Sequence, residues 1–493
     1  MISPHQPALQ IVLPLMAAPL CIILRQPMLG WLLAMLVTWG ALIASFLLLL
    51  QVIDGGPVSY AIGNWPPPWG IEYRIDLLSA FVLVTISVVG AISMLFARRS
   101  VKAEVASDRV YLFYAMYLLC FTGLMGIPIT GDAFNLFVFL EISSLSAYVL
   151  ISLGRDRRAL MASFRYLVMG TFGATFYIIG VGLMYMMTGT LNMADLAARV
   201  PELMHLRTMQ VALAFLTVGI TLKLALFPLH LWLPNAYAYA PTVVTIFLAA
   251  TATKVAVYVL IRIVYTIFGG VGLFAAMPIG EMLIVLGMVS MLGGALTAVW
   301  QTNVKRLLAY SSISQIGYMV LGMGLADVTG IAASVVHIFN HAMIKATLFM
   351  AMGCVVYRTG SADLVGIRGF AARMPVTAAC VVVGSLSLVG APLTLGFLTK
   401  WLLFQGALDR GWWWVAVVIV MASLLALVYV WRLVSAAYLH PAEGPVAAAR
   451  EAPPEMLIAL VGLTVATVII AIDGSLVGDL AVNVAEQLLG SGR

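Results

Sequence analysis

The stretch Leu213–Pro234 reads LAFLTVGITLKLALFPLHLWLP. It is long and apolar enough to cross a bilayer. Yet Lys223 stands near its middle, Pro228 follows five residues later, and His230 lies just beyond. A lysine at membrane depth costs at least ~2.5–3.5 kcal/mol on insertion scales. A proline inside a helix removes one backbone hydrogen bond and leaves a carbonyl without its partner. Lipid cannot satisfy that carbonyl, so the break must face protein or water. Lys223 lies about ten residues, or about 15 Å of helix, inside the span, which is deep for snorkelling. A charge beside a broken helix at mid-depth is what an ion pathway requires.

The rest of the chain agrees. Of 493 residues, 63% are hydrophobic and 9% charged, against about 25% charged in soluble domains. Mean hydropathy is +1.07. This is the composition of an integral membrane protein. The apolar runs are 17–27 residues long, so they read as helices and not as the ~10-residue strands of a barrel. Cys21, Cys120, Cys354 and Cys380 are scattered. They make no metal or disulfide spacing, so no cofactor is expected. The net charge of +6 is explained by loop arginines and calls for no nucleic acid. The N-terminus has neither a basic leader nor a small-residue cleavage site, so 9–24 reads as a retained first span.

Fourteen spans are expected, at about 8–24, 29–51, 75–96, 110–128, 132–152, 161–187, 209–233, 243–268, 278–299, 304–325, 330–353, 376–403, 413–438 and 455–477. The longest connection, 52–74, holds the proline-rich turn GNWPPPWG with its interfacial tryptophans. Fourteen spans put both termini on one side. Loops on the other side hold 16 Lys/Arg, among them Arg98, Arg99, Arg155, Arg157, Arg158, Lys305, Arg306, Arg358 and Arg432. The terminal side holds six: Arg74, Arg199, Arg207, Arg262, Arg410 and Arg493. Positive-inside then places the termini outside the cytoplasm.

Four basic residues remain, and all four are lysines within spans: Lys223, Lys254, Lys345 and Lys400. The twenty arginines lie in loops or near span ends. A buried lysine can give up its proton, whereas an arginine effectively cannot. The chain also repeats itself. Leu224–Leu231 and Leu388–Leu395 both read L-x-x-x-P-L-x-L, with breaks at Pro228 and Pro392. Ser144-Leu-Ser-Ala-Tyr148 resembles Ser314-Gln-Ile-Gly-Tyr318, and Ala174-Thr-Phe resembles Ala346-Thr-Leu-Phe. The fold expected is an all-α membrane protein of about 14 transmembrane helices. Spans 4–8 and 9–13 form two inverted five-helix repeats, each with a broken helix. The divisions are 1–109, 110–268, 269–438 and 439–493.

Glu141, in LFVFLEISSLSAYVL, is the one acid deep in a span. A carboxylate there is protonated or paired, and Lys223 is the expected partner. A purely structural ion pair would be a poor source of net stability. Lys254, in TIFLAATATKVAVYVLIR, has no acid nearby in sequence. It is either a proton-exchanging group or a lysine bonded to water in a cavity. In SVVHIFNHAMIKATLFM, His337, His341 and Lys345 fall at i, i+4 and i+8 on one helix face, with Asn340 beside them. Such a stripe favours a hydrated proton path over a single satisfied core histidine. Zinc is not expected, because no third ligand is near and no glutamate follows the first histidine. Lys400 follows the second break, in GAPLTLGFLTKWLLF. The two breaks thus carry their lysines on opposite sides of the proline.

These motifs are recognisable. The run FPLHLWLPNAYAYAPTVVTIFLAATATKVAVYVLIR resembles the signature region of the antiporter-like membrane subunits. They occur in Mrp-type cation/proton antiporters, respiratory complex I and membrane-bound hydrogenases. The resemblance spans about 75–440. It implies functional roles for Glu141, Lys223, Lys254, His337, His341 and Lys400, with Lys345, Asn340 and His230 supporting the path. Asn235-Ala-Tyr after WLP, a lysine in span 12 and GNWPPPWGI before span 3 are most similar to the D-type member of the Mrp antiporters. The resemblance implies protons and Na⁺ as cargo, a bacterial inner membrane, and partner subunits like Mrp A, B, C, E, F and G. The complex I member with lysine in span 12 is nearly as similar, so a redox-driven proton-pumping subunit is the alternative. The chain is expected to end at its fourteenth span, without an added amphipathic arm.

Overall fold

A computed structural model describes residues 5–490, in which nineteen α-helices follow one another. They are α1 (Gln6–Leu24), α2 (Pro27–Gly55), α3 (Leu77–Glu104), α4 (Val110–Ile129), α5 (Ala133–Ser152), α6 (Arg158–Thr188), α7 (Met193–Leu203), α8 (Arg207–Leu224), α9 (Leu233–Tyr239) and α10 (Thr242–Ile261). Then come α11 (Val271–Ala276), α12 (Ile279–Trp300), α13 (Val304–Leu325), α14 (Val328–Thr359), α15 (Pro375–Val389), α16 (Leu395–Asp409), α17 (Trp413–Tyr438), α18 (Pro454–Ile472) and α19 (Ser475–Leu489). Polar side chains start several of them. Asp76, Asp132, Asn303 and Asp327 accept from backbone N–H groups in the first turns of α3, α5, α13 and α14, which satisfies donors that lipid could not.

Among the described residues, twelve helices are each long and apolar enough to cross a membrane. The fourteen expected spans are completed by α13 and by the broken pair α15–α16. The connections fall on two faces. On one, Val105 bridges Gly154, Asn303 bridges Asp363, and Arg358 donates to the Glu451 carbonyl. On the other, Tyr73 bridges Thr130, Asp132 bridges Asn192, and Arg410 pairs with Asp327. The loops meet as the alternation of arginine-rich and arginine-poor connections requires; Arg493 lies outside the described residues.

The centre belongs to α14 and α10. The most apolar part of α14 is wholly buried and that of α10 94% buried, whereas that of α2 is 28% buried. Water does not drive helices together inside lipid, so close approach rests on small residues. At the α12–α13 crossing a Cβ on Gly317 would lie 2.5 Å from the Gly287 carbonyl oxygen, which only glycine avoids. Neighbour relations recur along the chain: α4–α5, α5–α6, α6–α8 and α8–α10 are matched by α12–α13, α13–α14, α14–α15 and α15–α17.

Four expectations need correction. The 52–74 connection is more than a turn: β1 (Val58–Ala61) and β2 (Glu72–Ile75) pair antiparallel on either side of it. The chain does not end at the fourteenth span, because α19 follows and packs against α14 through Val477, Ala481, Val484 and Ala485. Its apolar positions are short and interleaved with Asp479, Asn483 and Glu486, so it carries no run long enough to be read as a span. Arg262 is not a loop residue: it is buried, at the start of a π-helical turn (Arg262–Ile267), and ion-paired with Asp76. Lys305 is likewise buried and not in an open loop.

Candidate functional site

α5 and α8 bring the first charged pair together. Lys223 Nζ lies 3.2 Å from Glu141 Oε1 and donates to Ser144 Oγ at 2.8 Å. Ser144 follows Glu141 by three residues on one face of α5, so acid and hydroxyl form a two-point seat. The Lys223 side chain is 5% exposed and that of Glu141 26%. The seat is therefore dry on the lysine side and reaches the chain's surface on the acid side.

Just past Lys223 the helix stops. Ala225 takes a left-handed conformation (φ 58°), and the chain runs through Pro228 to α9. The interruption frees main-chain carbonyls. That of Leu222 accepts from Trp232 Nε1 at 3.0 Å. Trp232 is itself fixed by stacking on Tyr166, with ring centroids 3.9 Å apart and planes 3° apart. His230 lies inside the break, stacked on Phe227 at 4.9 Å, with Nδ1 unpartnered.

Lys254, on α10, is buried and donates to the Ala249 carbonyl at 2.5 Å, with Thr253 Oγ1 at 3.4 Å. On α14 the rings of His337 and His341 stack 5.7 Å apart at 8°. Among the described residues none of their four ring nitrogens has a partner. Asn340, beside them, donates to the Leu395 carbonyl at 2.5 Å and to Thr399 Oγ1 at 2.9 Å, tying α14 to the first turns of α16. Lys345 donates to the Leu308 carbonyl at 2.7 Å and to Ser311 Oγ at 2.5 Å on α13.

Lys400 donates to the carbonyls of Val389 at 2.5 Å and Leu388 at 3.3 Å. These are the carbonyls that the second break releases at the end of α15. Gly390 makes the break (φ 87°), and a Cβ there would come 2.8 Å from Lys400 Cδ. The Lys400 Nζ also sits 5.1 Å from the centroid of the Tyr318 ring, which lies 5.9 Å from that of His337. Among the described residues, neither Lys254, Lys345 nor Lys400 has a carboxylate within ion-pair distance.

Every residue singled out in the sequence therefore lies on or beside the α5–α8–α10–α14–α16 interior. Beyond the histidines, the side-chain atoms Asn340 Oδ1, Gln315 Nε2, Ser385 Oγ, Ser387 Oγ and Tyr429 OH are buried without partners around α14. Buried polar groups are costly unless solvated, so this is where water can enter. Ser144, Trp232, Tyr318 and Thr399 escaped the sequence reading as site residues. Tyr318 had a signal, since it pairs with Tyr148 in the repeat. Carbonyl acceptors had none, because no side chain announces them.

Residues 130–426 match the family described as NADH:quinone oxidoreductase/Mrp antiporter, TM. The chain is 41% identical to the N subunit of the NADH-quinone oxidoreductase of Desulforudis audaxviator, covering 91% of this chain and 90% of that one. It is 32% identical to the D subunit of the Na(+)/H(+) antiporter of Alkalihalophilus pseudofirmus, with the same coverage of both. Among solved structures it is similar to a chain of the membrane-bound sulfane sulfur reductase, an archaeal respiratory membrane complex. That match has a TM-score of 0.91 and 31% identity over 99% of this chain and 98% of that one. The Mrp complex from Dietzia sp. gives a TM-score of 0.88 and 27% identity over 98% and 97%.

Proposed function

Because the chain belongs to the NADH:quinone oxidoreductase/Mrp antiporter membrane family, we propose that it is the proton-translocating, D-like subunit of a multisubunit Na⁺/H⁺ antiporter. One observation carries this reading. Buried lysines and histidines stand on α8, α10, α14 and α16, and among the described residues Lys223 alone of them holds a carboxylate. Structural ion pairs would come with acids; these lysines come with carbonyls, hydroxyls and unpartnered ring nitrogens, as a proton path requires. Protons enter through one five-helix unit (110–268 or 269–438) and pass Lys223, Lys254, Lys345, His341, His337 and Lys400. They leave through the other unit. The recurring neighbour relations of the helices support two such units, inverted because each holds an odd number of crossings. His230 and Asn340 support the path, and Pro228 and Pro392 lie within the breaks that Ala225 and Gly390 open. Na⁺ exchange involves partners like Mrp A, B, C, E, F and G, since one deep carboxylate is thin provision for that ion. In this reading the chain moves ions and catalyses no chemical conversion.

The 41% identity to an oxidoreductase N subunit, above the 32% to an antiporter D subunit, favours a second reading: the same proton path serving a redox-driven complex. Purifying the tagged chain from native membranes decides between them, by whether small membrane subunits or redox subunits accompany it.

Lys254 tests the path in either assembly. Arginine keeps the charge but not the titration, so Lys254→Arg and Lys254→Ala should both stop proton movement in correctly assembled complexes. Near-normal exchange by Lys254→Arg would leave Lys254 as a fixed charge and remove the relay. Orientation follows the arginine count, with the termini outside the cytoplasm. A cysteine placed at Arg157 should resist an impermeant thiol reagent in right-side-out vesicles, and labelling there would reverse the assignment.

A further inference from the structure

The line of buried charges leaves one feature unused: a cavity of about 380 Å³ on the arginine-rich face. It opens where the ends of α3, α9, α13 and α14 meet the connections around 154–158 and 360–363. Lys305, in the first turn of α13, lines it and is 5% exposed. Its Nζ donates to Thr242 Oγ1 at 3.2 Å, and no carboxylate lies within ion-pair distance among the described residues. An ammonium has three protons to donate, so Lys305 has hydrogen-bonding capacity to spare.

The other charged and titratable groups facing it are Glu104 of α3, Tyr239 of α9, Arg155, Asp156 and Arg158 between α5 and α6, and Asp363 beyond α14. Each acid already has a hydrogen-bond partner, and Glu104 meets Lys305 only through the shared Thr242 hydroxyl. Glu104 accepts from Thr242 N at 2.8 Å and from its hydroxyl at 3.0 Å. Asp363 accepts from Asn303 at 3.1 Å. Asp156 pairs with Arg158 at 2.8 Å, and that hydrogen bond holds its carboxyl below the ordinary range, so it stays ionised near neutral pH.

From Lys305, α13 leads inward to the axis. Leu308 lies three residues on, about 4.5 Å of rise, and Ser311 three beyond that, each step turning about 60° around the helix. Both hold Lys345. A buried lysine at the cavity and the groups that hold a buried lysine of the axis thus lie within two turns of one another on α13, about 9 Å of rise apart.

We infer that Lys305 loads the buried axis, taking a proton from water in the cavity and passing it along α13 to Lys345. The amine of Lys305 gains a proton from a protonated water. The ammonium then gives it to a water beside Leu308 and Ser311, and the amine of Lys345 accepts it. Protons on this route join the axis at Lys345 without first passing Glu141 and Lys223. The inference rests on the proton-translocation reading, and it gives Lys305 a role in loading where a purely structural lysine would only fasten α13 to Thr242.

The test uses the purified complete assembly in proteoliposomes, with pH and reagents set on both faces. Lys305→Ala and Lys305→Arg should each slow proton translocation at least tenfold. Lys305→His should keep part of it, with the alkaline limb of its pH profile moved down by two units or more, because histidine titrates about four units below lysine in water. To exclude misfolding, Ala362→Cys, on the cavity wall, is modified after assembly with a positively charged thiol reagent. The modification should block translocation at least tenfold and be reversed by a reducing thiol; the native cysteines are buried. Lys400→Ala, downstream of Lys345 on either route and run in parallel, reports on the reading itself. If Lys400→Ala is inactive while Lys305→Arg or modified Ala362→Cys runs at the control rate, loading by Lys305 is overturned and the reading stands. If Lys400→Ala is active, the axis is not the path, and both fall whatever Lys305 does.

Discussion

At the first break Lys223 precedes the interruption and its ammonium meets Glu141 and Ser144. At the second, Lys400 follows the interruption and its ammonium meets the carbonyls of Leu388 and Val389. The repeat sharpens the contrast. At the 170-residue offset that relates Ser144 to Ser314 and Tyr148 to Tyr318, Glu141 corresponds to Ser311. The second unit therefore has a hydroxyl where the first has an acid, and that hydroxyl holds Lys345. A carboxylate titrates and a carbonyl does not. At the first break the hold on Lys223 is a charge-assisted hydrogen bond between two ionisable side chains. At the second, the hold on Lys400 is a fixed dipole. In the proposed proton path, control by charge falls to the first unit and passive relay to the second.

The contrast predicts its largest effect at Glu141. Glu141→Gln keeps the shape and the hydrogen-bonding capacity but removes the charge that answers Lys223. Coupled transport in everted vesicles should fall at least a hundredfold, with the complex still assembled. Because Glu141 is a quarter exposed, the loss of stability should be well below the ~3–5 kcal/mol of a fully buried broken pair. A variant that keeps most of its transport would end the distinction between the two units.

Much of this site could be read before any coordinates. Lys223, Lys254, His337, His341, Lys345 and Lys400 stand out because a polar residue in an apolar run is expensive and must have a reason. The Glu141–Lys223 pairing followed from their being the deep acid and the nearest deep base. What the sequence hid has two causes. Lys305 stands at the start of its span, where a lysine ordinarily faces water, and only the packing of α3, α9 and α14 around it reveals that it is buried. The partners of Lys254, Lys345 and Lys400 are largely main-chain carbonyls, and every residue has one. The helix α19 was hidden for a third reason: its core-facing residues are mostly alanine and valine, too short and too interrupted to make an apolar run.

A second prediction moves the acid. Ser311→Glu places in the second unit what the first unit has, directly beside Lys345. The new carboxylate should pin that ammonium and slow proton translocation about tenfold. Ser311 is fully buried, and the larger side chain carries an overpacking cost of about 1–3 kcal/mol. Ser311→Gln has the same bulk without the charge and separates the two effects. Equal loss in both variants would mean that crowding, not charge, is what the site cannot bear.

The smallest effect concerns how the first break is held open beside Lys223. Trp232 does two things there: its N–H meets the Leu222 carbonyl, and its ring stacks on Tyr166. Trp232→Phe keeps a ring for the stack and deletes the donor. The Leu222 carbonyl is not orphaned by this, because it also accepts from Ala225 N at 3.3 Å. The loss should therefore be that of one neutral hydrogen bond, about 0.5–1.5 kcal/mol, without the added cost of a stranded acceptor. It should show as a slightly lower thermal midpoint of the purified assembly, with transport within about twofold of wild type. Trp232→Ala removes the stack as well and leaves a cavity, and should cost about 3–5 kcal/mol. The ratio between the two variants is the informative quantity. If Trp232→Phe proves as damaging as Trp232→Ala, the indole N–H holds the break and the stack is incidental. The first break would then depend, like the second, on a main-chain carbonyl, and the two units would differ only in the acid.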